Sequence, residues 1–177
     1  NYPECNYLPN QSTLIFPIIR YWGVGTDVLD EAADWISSYQ NSDGSFDQVG
    51  FIHHQEMLGG MQGRNALTAY VAVALLEAGE QSVADRTISY LEDELNEMDD
   101  VYTLAITAYA LELAESARAG DACAMLMEKA IEDEHGIHWS TSGDDQKPLE
   151  DEEFERSYMI QSTAEIETTG YAMMALT

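Results

Sequence analysis

The chain has 177 residues, enough for one domain with a sizeable core, and its 45% apolar content is ordinary for a globular protein. Seven Lys and Arg stand against 33 Asp and Glu, a formal charge of −26, which argues against nucleic acid and anionic membrane as partners because phosphate binding needs the opposite sign. No apolar run approaches a membrane span, and the charge favours a basic receptor surface, bound cations or simple solubility, with a salt-adapted source as the plainer alternative.

Residues 1–13, with Pro3 and Pro9, read as an irregular N-terminal segment. Asn10-Gln11-Ser12 is a sequon that makes Asn10 a glycosylation candidate and suits a secreted protein. Cys5 and Cys123 are too few for a disulfide scaffold; they are candidates to pair in an oxidising compartment, and the sequence leaves that pairing open. The chain opens on Asn1 without initiator Met or leader, so a mature product or a fragment is expected.

Residues 14–22 form an apolar run interrupted by Pro17, which predicts a short or kinked helix. Thr26 or Asp27 then caps a helix from about Val28 to Tyr39, with Ala32, Trp35 and Ile36 on one face. Gln40 to Ser45 is a turn by composition. A polar cluster follows: His53, His54, Glu56 and Met57, ahead of Gly59-Gly60. It feeds a helix expected from Asn65, as its cap, to Gly79, and apolar almost all round. Ser82 to Met98 is amphipathic, with Val83, Ile88, Leu91 and Leu95 inward. Asp100 opens another apolar helix, Val101 to Arg118, which Gly120 breaks. Asp121 to Glu134 is amphipathic, with Cys123, Leu126, Met127, Ala130 and Ile131 as its inner stripe. Residues 135–153 read as a loop with His138-Trp139 and an acidic run, before a last helix from about Ala164.

Three of these helices open on the same pattern: Ala66-Leu67-Thr68-Ala69-Tyr70, Ala105-Ile106-Thr107-Ala108-Tyr109 and Glu167-Thr168-Thr169-Gly170-Tyr171. Buried helices alternating with half-exposed ones mean helical hairpins side by side, the buried members inside. The expected fold is all-α, an α/α toroid over residues 14–177, and partial, since three copies are too few to close the ring.

Metal and cofactor signals are weak, and neither is expected. There is no Cys-x-x-Cys; His135 and His138 are spaced for one helical face but have Gly136 between them and no nearby Cys. Asp99-Asp100 and Asp144-Asp145 stand alone, and the acids at 150–155 lack the pattern of a calcium loop, so they read as a solvated face. Gln40 to Phe46 is similar to the Gln-Asp-Gly-aromatic turns of terpene cyclases, so an isoprenoid-type α/α toroid enzyme is one alternative.

The whole from about residue 14 onward resembles the thioester-containing domain of the complement and alpha-2-macroglobulin superfamily, with a tail closest to insect thioester proteins and their cell-surface relatives. The likeness is carried by Ala33-Asp34-Trp35-Ile36, Gln40 to Phe46, Ile52 to Gly60, Ala66 to Gly79, Trp139-Ser140 and Ala164 to Ala172. In that family a Cys and a Gln within Gly-Cys-Gly-Glu-Gln form an internal thioester that acylates a nearby surface. Counting from Gly50 and from Glu56 to Gly60, the His that takes up the acyl group falls on His54. Glu56 is placed to orient it, with capping or solvation as the plainer role. The thioester Cys and Gln are absent from this sequence. The resemblance therefore implies a fragment of a secreted, extracellular innate-immune protein, an opsonin or protease trap. Its parent reaches target-surface hydroxyls or proteases, and the fragment itself is a binding module and not an enzyme. A thioester-less structural, adhesive or cation-binding acidic protein is the other alternative.

Overall fold

The structure, a computed structural model, describes residues 26–50, 63–134, 136–141 and 164–177. Among them are the helices α1 (Thr26–Ser37), α2 (Gly63–Ala78), α3 (Gln81–Glu94), α4 (Val101–Leu113), α5 (Ala119–Glu128) and α6 (164–175). A 3-10 turn, Leu95–Glu97, extends α3, and an antiparallel hairpin joins β1 (Ile131–Asp133) to β2 (Gly136–His138). The fold is mostly α, and none of the described helices is long and apolar enough to cross a membrane. The kinked helix expected at 14–22 and the acidic run at 144–155 lie outside the described residues.

The inner and outer roles follow the apolar pattern. All residues of α4 from Val101 to Leu111 are buried, so no face of that helix is left for water. It packs along α2, where Ala66, Ala69 and Ala72 meet a helix that itself carries Ala105 and Ala108; small side chains let the two axes approach closely. The amphipathic helices lie outside this pair, α3 on α2 and α5 on α4. Ile88, Leu91 and Leu95 of the first and Ala119, Ala122 and Leu126 of the second complete the core. Tyr171, Ala172 and Ala175 bring one side of α6 against the same core, while Ile166 and Met173 on its other side are exposed.

The helix ends show where local signals were legible. Asp100 caps α4, its carboxylate accepting from Thr103 N at 2.7 Å. At the end of α2, Gly79 takes φ +85° while its N–H reaches Leu76 O and the Glu80 N–H reaches Leu75 O, the paired bonds of a Schellman end. Helix α4 stops in the same way five residues before Arg118. Glu115 N bonds Glu112 O at 3.0 Å and Ser116 N bonds Leu111 O at 2.9 Å, with Glu115 at φ +53°. No glycine marks this stop, and Gly120 sits inside the first turn of α5.

Three further expectations are corrected. On α1 the inward residue is Ala33, with Ile36 beside it, while Ala32 faces out and Trp35 is 57% exposed, its ring 4.8 Å from that of Tyr39. Asn65 does not cap α2, which starts at Gly63; its Oδ1 accepts from the Tyr90 hydroxyl of α3 at 2.7 Å. Helix α5 ends at Glu128 and the chain turns into the hairpin, which takes Ile131 out of the helical stripe; Met127, within the helix, is also exposed rather than inward. His138 therefore stands on a strand opposite Ile131, with Nδ1 3.9 Å from Asp133, and not on a helix; His135 lies outside the described residues.

Candidate functional site

His54, the acyl-transfer candidate, lies outside the described residues, as do His53, Glu56, Asn10 and Cys5. The frame on either side of the 51–62 segment is described, and it is built with unusual polar care.

On the upstream side is the turn from Gln40 to Asp47. Asp43 folds it, its Oδ1 accepting from Ser45 N at 3.0 Å and from Ser45 Oγ at 2.6 Å. These bonds, with the charge of Arg64, hold the Asp43 carboxyl below its usual range. Gly44 sits at φ +93° against α3; a Cβ there would lie 2.2 Å from the Arg86 carbonyl oxygen, so only glycine lets the turn approach this closely. Gln40 Nε2 fastens the turn to α3 through Val83 O at 3.0 Å and Thr87 Oγ1 at 2.8 Å.

Phe46 is then locked onto α2 by Thr68. The Phe46 N–H donates to Thr68 Oγ1 at 3.0 Å, and the same hydroxyl lies 3.4 Å from Phe46 O. The third repeat copy does the same: Trp139 N donates to Thr169 Oγ1 at 3.2 Å and that hydroxyl reaches Trp139 O at 3.5 Å. The Trp139 ring is buried and donates from Nε1 to Leu126 O at 2.8 Å. In the second copy the corresponding Thr107 hydroxyl is buried with no partner. The repeat thus encodes a clamp in which a threonine of an inner helix grips the backbone of an aromatic residue from a preceding turn. The middle copy has the threonine without the clamp.

On the downstream side Arg64, in the first turn of α2, donates from Nε to Asp47 Oδ1 at 2.8 Å, and its Nη1 lies 4.0 Å from Asp43 Oδ2. Asp47 also accepts from Asn41 Nδ2 at 3.0 Å. The hydrogen bond to Asp47 holds the Arg64 guanidinium above its ordinary pKa. Sequence reading did not single out Arg64, Asp47 or Thr68. Their signals were there: a rare cation at a helix start, and the fixed third position of the repeat.

Two of the repeat's tyrosines, Tyr109 and Tyr171, meet Tyr102, while the third, Tyr70, is 44% exposed. Tyr171 lies 6.2 Å from Tyr109 and 5.9 Å, edge-on, from Tyr102 (ring centroids). Burial pushes Tyr109 and Tyr171 each up to about 12 and moves Tyr102 further in the same direction, so all three stay neutral phenols. Cys123 is a free, half-buried thiol on α5; burial and the neighbouring Glu112 push it up to about 11, so it is not poised as a nucleophile. Among the described residues no group of three or more His, Cys, Asp or Glu is arranged to hold a metal.

The class these features define is a helical-hairpin array whose inner helices grip aromatic turns. Profile comparison is specific about which: the A-macroglobulin TED domain, the thioester-containing domain, matches residues 13–177, and the chain belongs to that family. It is 30% identical over 155 residues to thioester-containing protein 1 allele S3 of Anopheles gambiae, covering 84% of this chain and 10% of that protein. It is 28% identical over 164 residues to ovostatin of Gallus gallus, covering 89% of this chain and 11% of that protein. The chain thus spans about a tenth of the length of these curated relatives.

Proposed function

We propose that this chain is the part of a thioester-containing domain that carries the acyl-accepting histidine, in a secreted innate-immune protein that attaches covalently to target surfaces or traps proteases. The observation that carries the reading is the family match over residues 13–177. The frame at Phe46, Asp47, Arg64 and Thr68, which anchors both flanks of the segment bearing His54, supports it.

In this reading the thioester is supplied by a Cys and a Gln elsewhere in the parent. The unprotonated ring nitrogen of neutral His54 attacks the thioester carbonyl carbon; the C–S bond breaks, and the sulfur leaves as thiolate. A target hydroxyl oxygen then attacks the acyl carbon, its proton passes to the thiolate, and His54 is released as neutral imidazole with an ester formed. Glu56 orients the ring. The thioester is consumed once, so the chain is a single-use transfer and binding module and not a turnover enzyme.

Methylamine opens a thioester directly. Native parent protein should take up one methylamine and release one thiol, and His54→Ala should retain that uptake while losing ester formation with glycerol. A native parent that takes up no methylamine and frees no thiol refutes the proposal.

A further inference from the structure

Helix α1 meets the core through Ile36, which packs against Phe46 and Leu75, with Ala33 buried beside it. One apolar face is enough for an outer helix. This helix has a second. Val28, Ala32 and Trp35 fall at i, i+4 and i+7, and Tyr39, just past the helix end, continues the stripe with its ring 4.8 Å from that of Trp35. Val28, Trp35 and Tyr39 are 53%, 57% and 42% exposed, and none of the three joins either hydrophobic cluster of the described residues. The fold therefore makes no use of this stripe.

Its flank is acidic. Asp27, Asp30, Glu31 and Asp34 are all exposed, and helical spacing sets them to one side of the stripe. Helix α1 carries no Lys or Arg, and none of these four carboxylates has an ion pair among the described residues. A lipid surface suits the stripe poorly, because the acids and the net charge of −26 repel anionic headgroups. A second copy suits it poorly as well, because two such faces would bring like charges together. A basic partner meets both features at once: its apolar side chains cover the stripe, its cations reach the acids, and a Lys or Arg can stack on the Trp35–Tyr39 pair.

We propose that the outward face of α1 docks a basic amphipathic helix of a partner protein, with Trp35 as its central anchor. This docking is independent of acyl transfer. The test uses the full chain and a fluorescein-labelled peptide of about 18 Leu and Lys residues, with Leu at helical spacing, followed by fluorescence anisotropy. The peptide should bind, and a scrambled peptide of the same composition should bind more weakly. Trp35→Ala should weaken binding by about five- to thirtyfold while leaving the urea midpoint unchanged, and Val28→Ser and Tyr39→Ala should act in the same direction. Glu31→Gln with Asp34→Asn should slow association at low salt, an effect that added sodium chloride removes. The same charge change on another element, Glu97→Gln with Asp99→Asn, should leave binding as it was. A chain that does not bind the peptide, or binds it equally well as Trp35→Ala, overturns the proposal. So does equal weakening by the two charge pairs, which would mean general acidity alone. A Trp35-dependent dimer in sedimentation would make a second copy the occupant, and Trp35-dependent binding to phosphatidylcholine vesicles would make it a lipid surface; either overturns the assignment.

Discussion

Replacing Thr68, Thr107 and Thr169 one at a time by Val removes a hydroxyl and keeps the shape and the β-branch, so the three repeat positions form a controlled series. At Thr68 the loss leaves the Phe46 N–H and C=O unpaired at a residue only 3% exposed. A buried group left unpaired costs about 1–3 kcal/mol, and since the second contact is long, about 2 kcal/mol is expected for Thr68→Val. Thr169→Val frees the corresponding groups of Trp139 at a half-buried threonine with longer bonds, and about 1 kcal/mol is expected. Thr107 is the informative member. Its hydroxyl is already buried without a partner, so Thr107→Val exchanges an unsatisfied polar atom for a methyl and should be neutral or stabilising. Urea unfolding followed by far-UV circular dichroism gives the order directly, provided the slope stays constant across the series. Thermal midpoints should fall by about 4–8 °C for Thr68→Val in a domain of this size. If Thr107→Val costs as much as Thr68→Val, or Thr68→Val costs less than about 0.5 kcal/mol, the clamp is not what the repeat encodes.

Gly44→Ala combines a left-handed backbone with a Cβ placed 2.2 Å from Arg86 O, and should lose at least about 2 kcal/mol in the same urea assay; a shift within error would mean the turn does not rest on α3 as described. Stability should also fall at alkaline pH. Cys123, Tyr109 and Tyr171 are raised from ordinary values of 9.0 and 10.0 to about 11 and about 12, so below about pH 9 both folded and unfolded chains keep these protons and the full stability is present. Above it the unfolded chain loses protons first, and stability drains until the folded groups titrate. The urea midpoint should be lower at about pH 10.5 than at about pH 8, and Cys123→Ser should flatten the start of the decline; a midpoint independent of pH would contradict the burial of these groups.

Much of the architecture was written locally. The unbroken apolar run of α4 could only be a buried helix, and Asp100 three residues before Thr103 announced its start. The Gly79 stop of α2 was legible because glycine is the residue that enters the left-handed region freely. The α4 stop was not, because Glu115 enters the same region without a glycine, held there by the two bonds back to Leu111 and Glu112. Helical spacing put Trp35 on one face with Ala32 and Ile36, yet only Ile36 of the three packs against Phe46 and Leu75, while Ala33 is the buried residue of α1 and Trp35 stays exposed. Ile131 fits the helical stripe of α5 in sequence, but the helix has ended before it and a hairpin takes its place.

The sequence by itself determined which helices are inside, because period and composition act over a few neighbouring residues and need no partner to be read. It also carried the family, since the motifs stand in order along the chain. Only the tertiary structure decided which polar groups meet: Thr68 with Phe46, Thr169 with Trp139, Arg64 with Asp47, and an unpartnered Thr107 between the two clamps. Those pairs span 17 to 30 residues of chain, and no local preference specifies a contact across such a distance. It is set by how the helices pack, and it becomes visible only once they have.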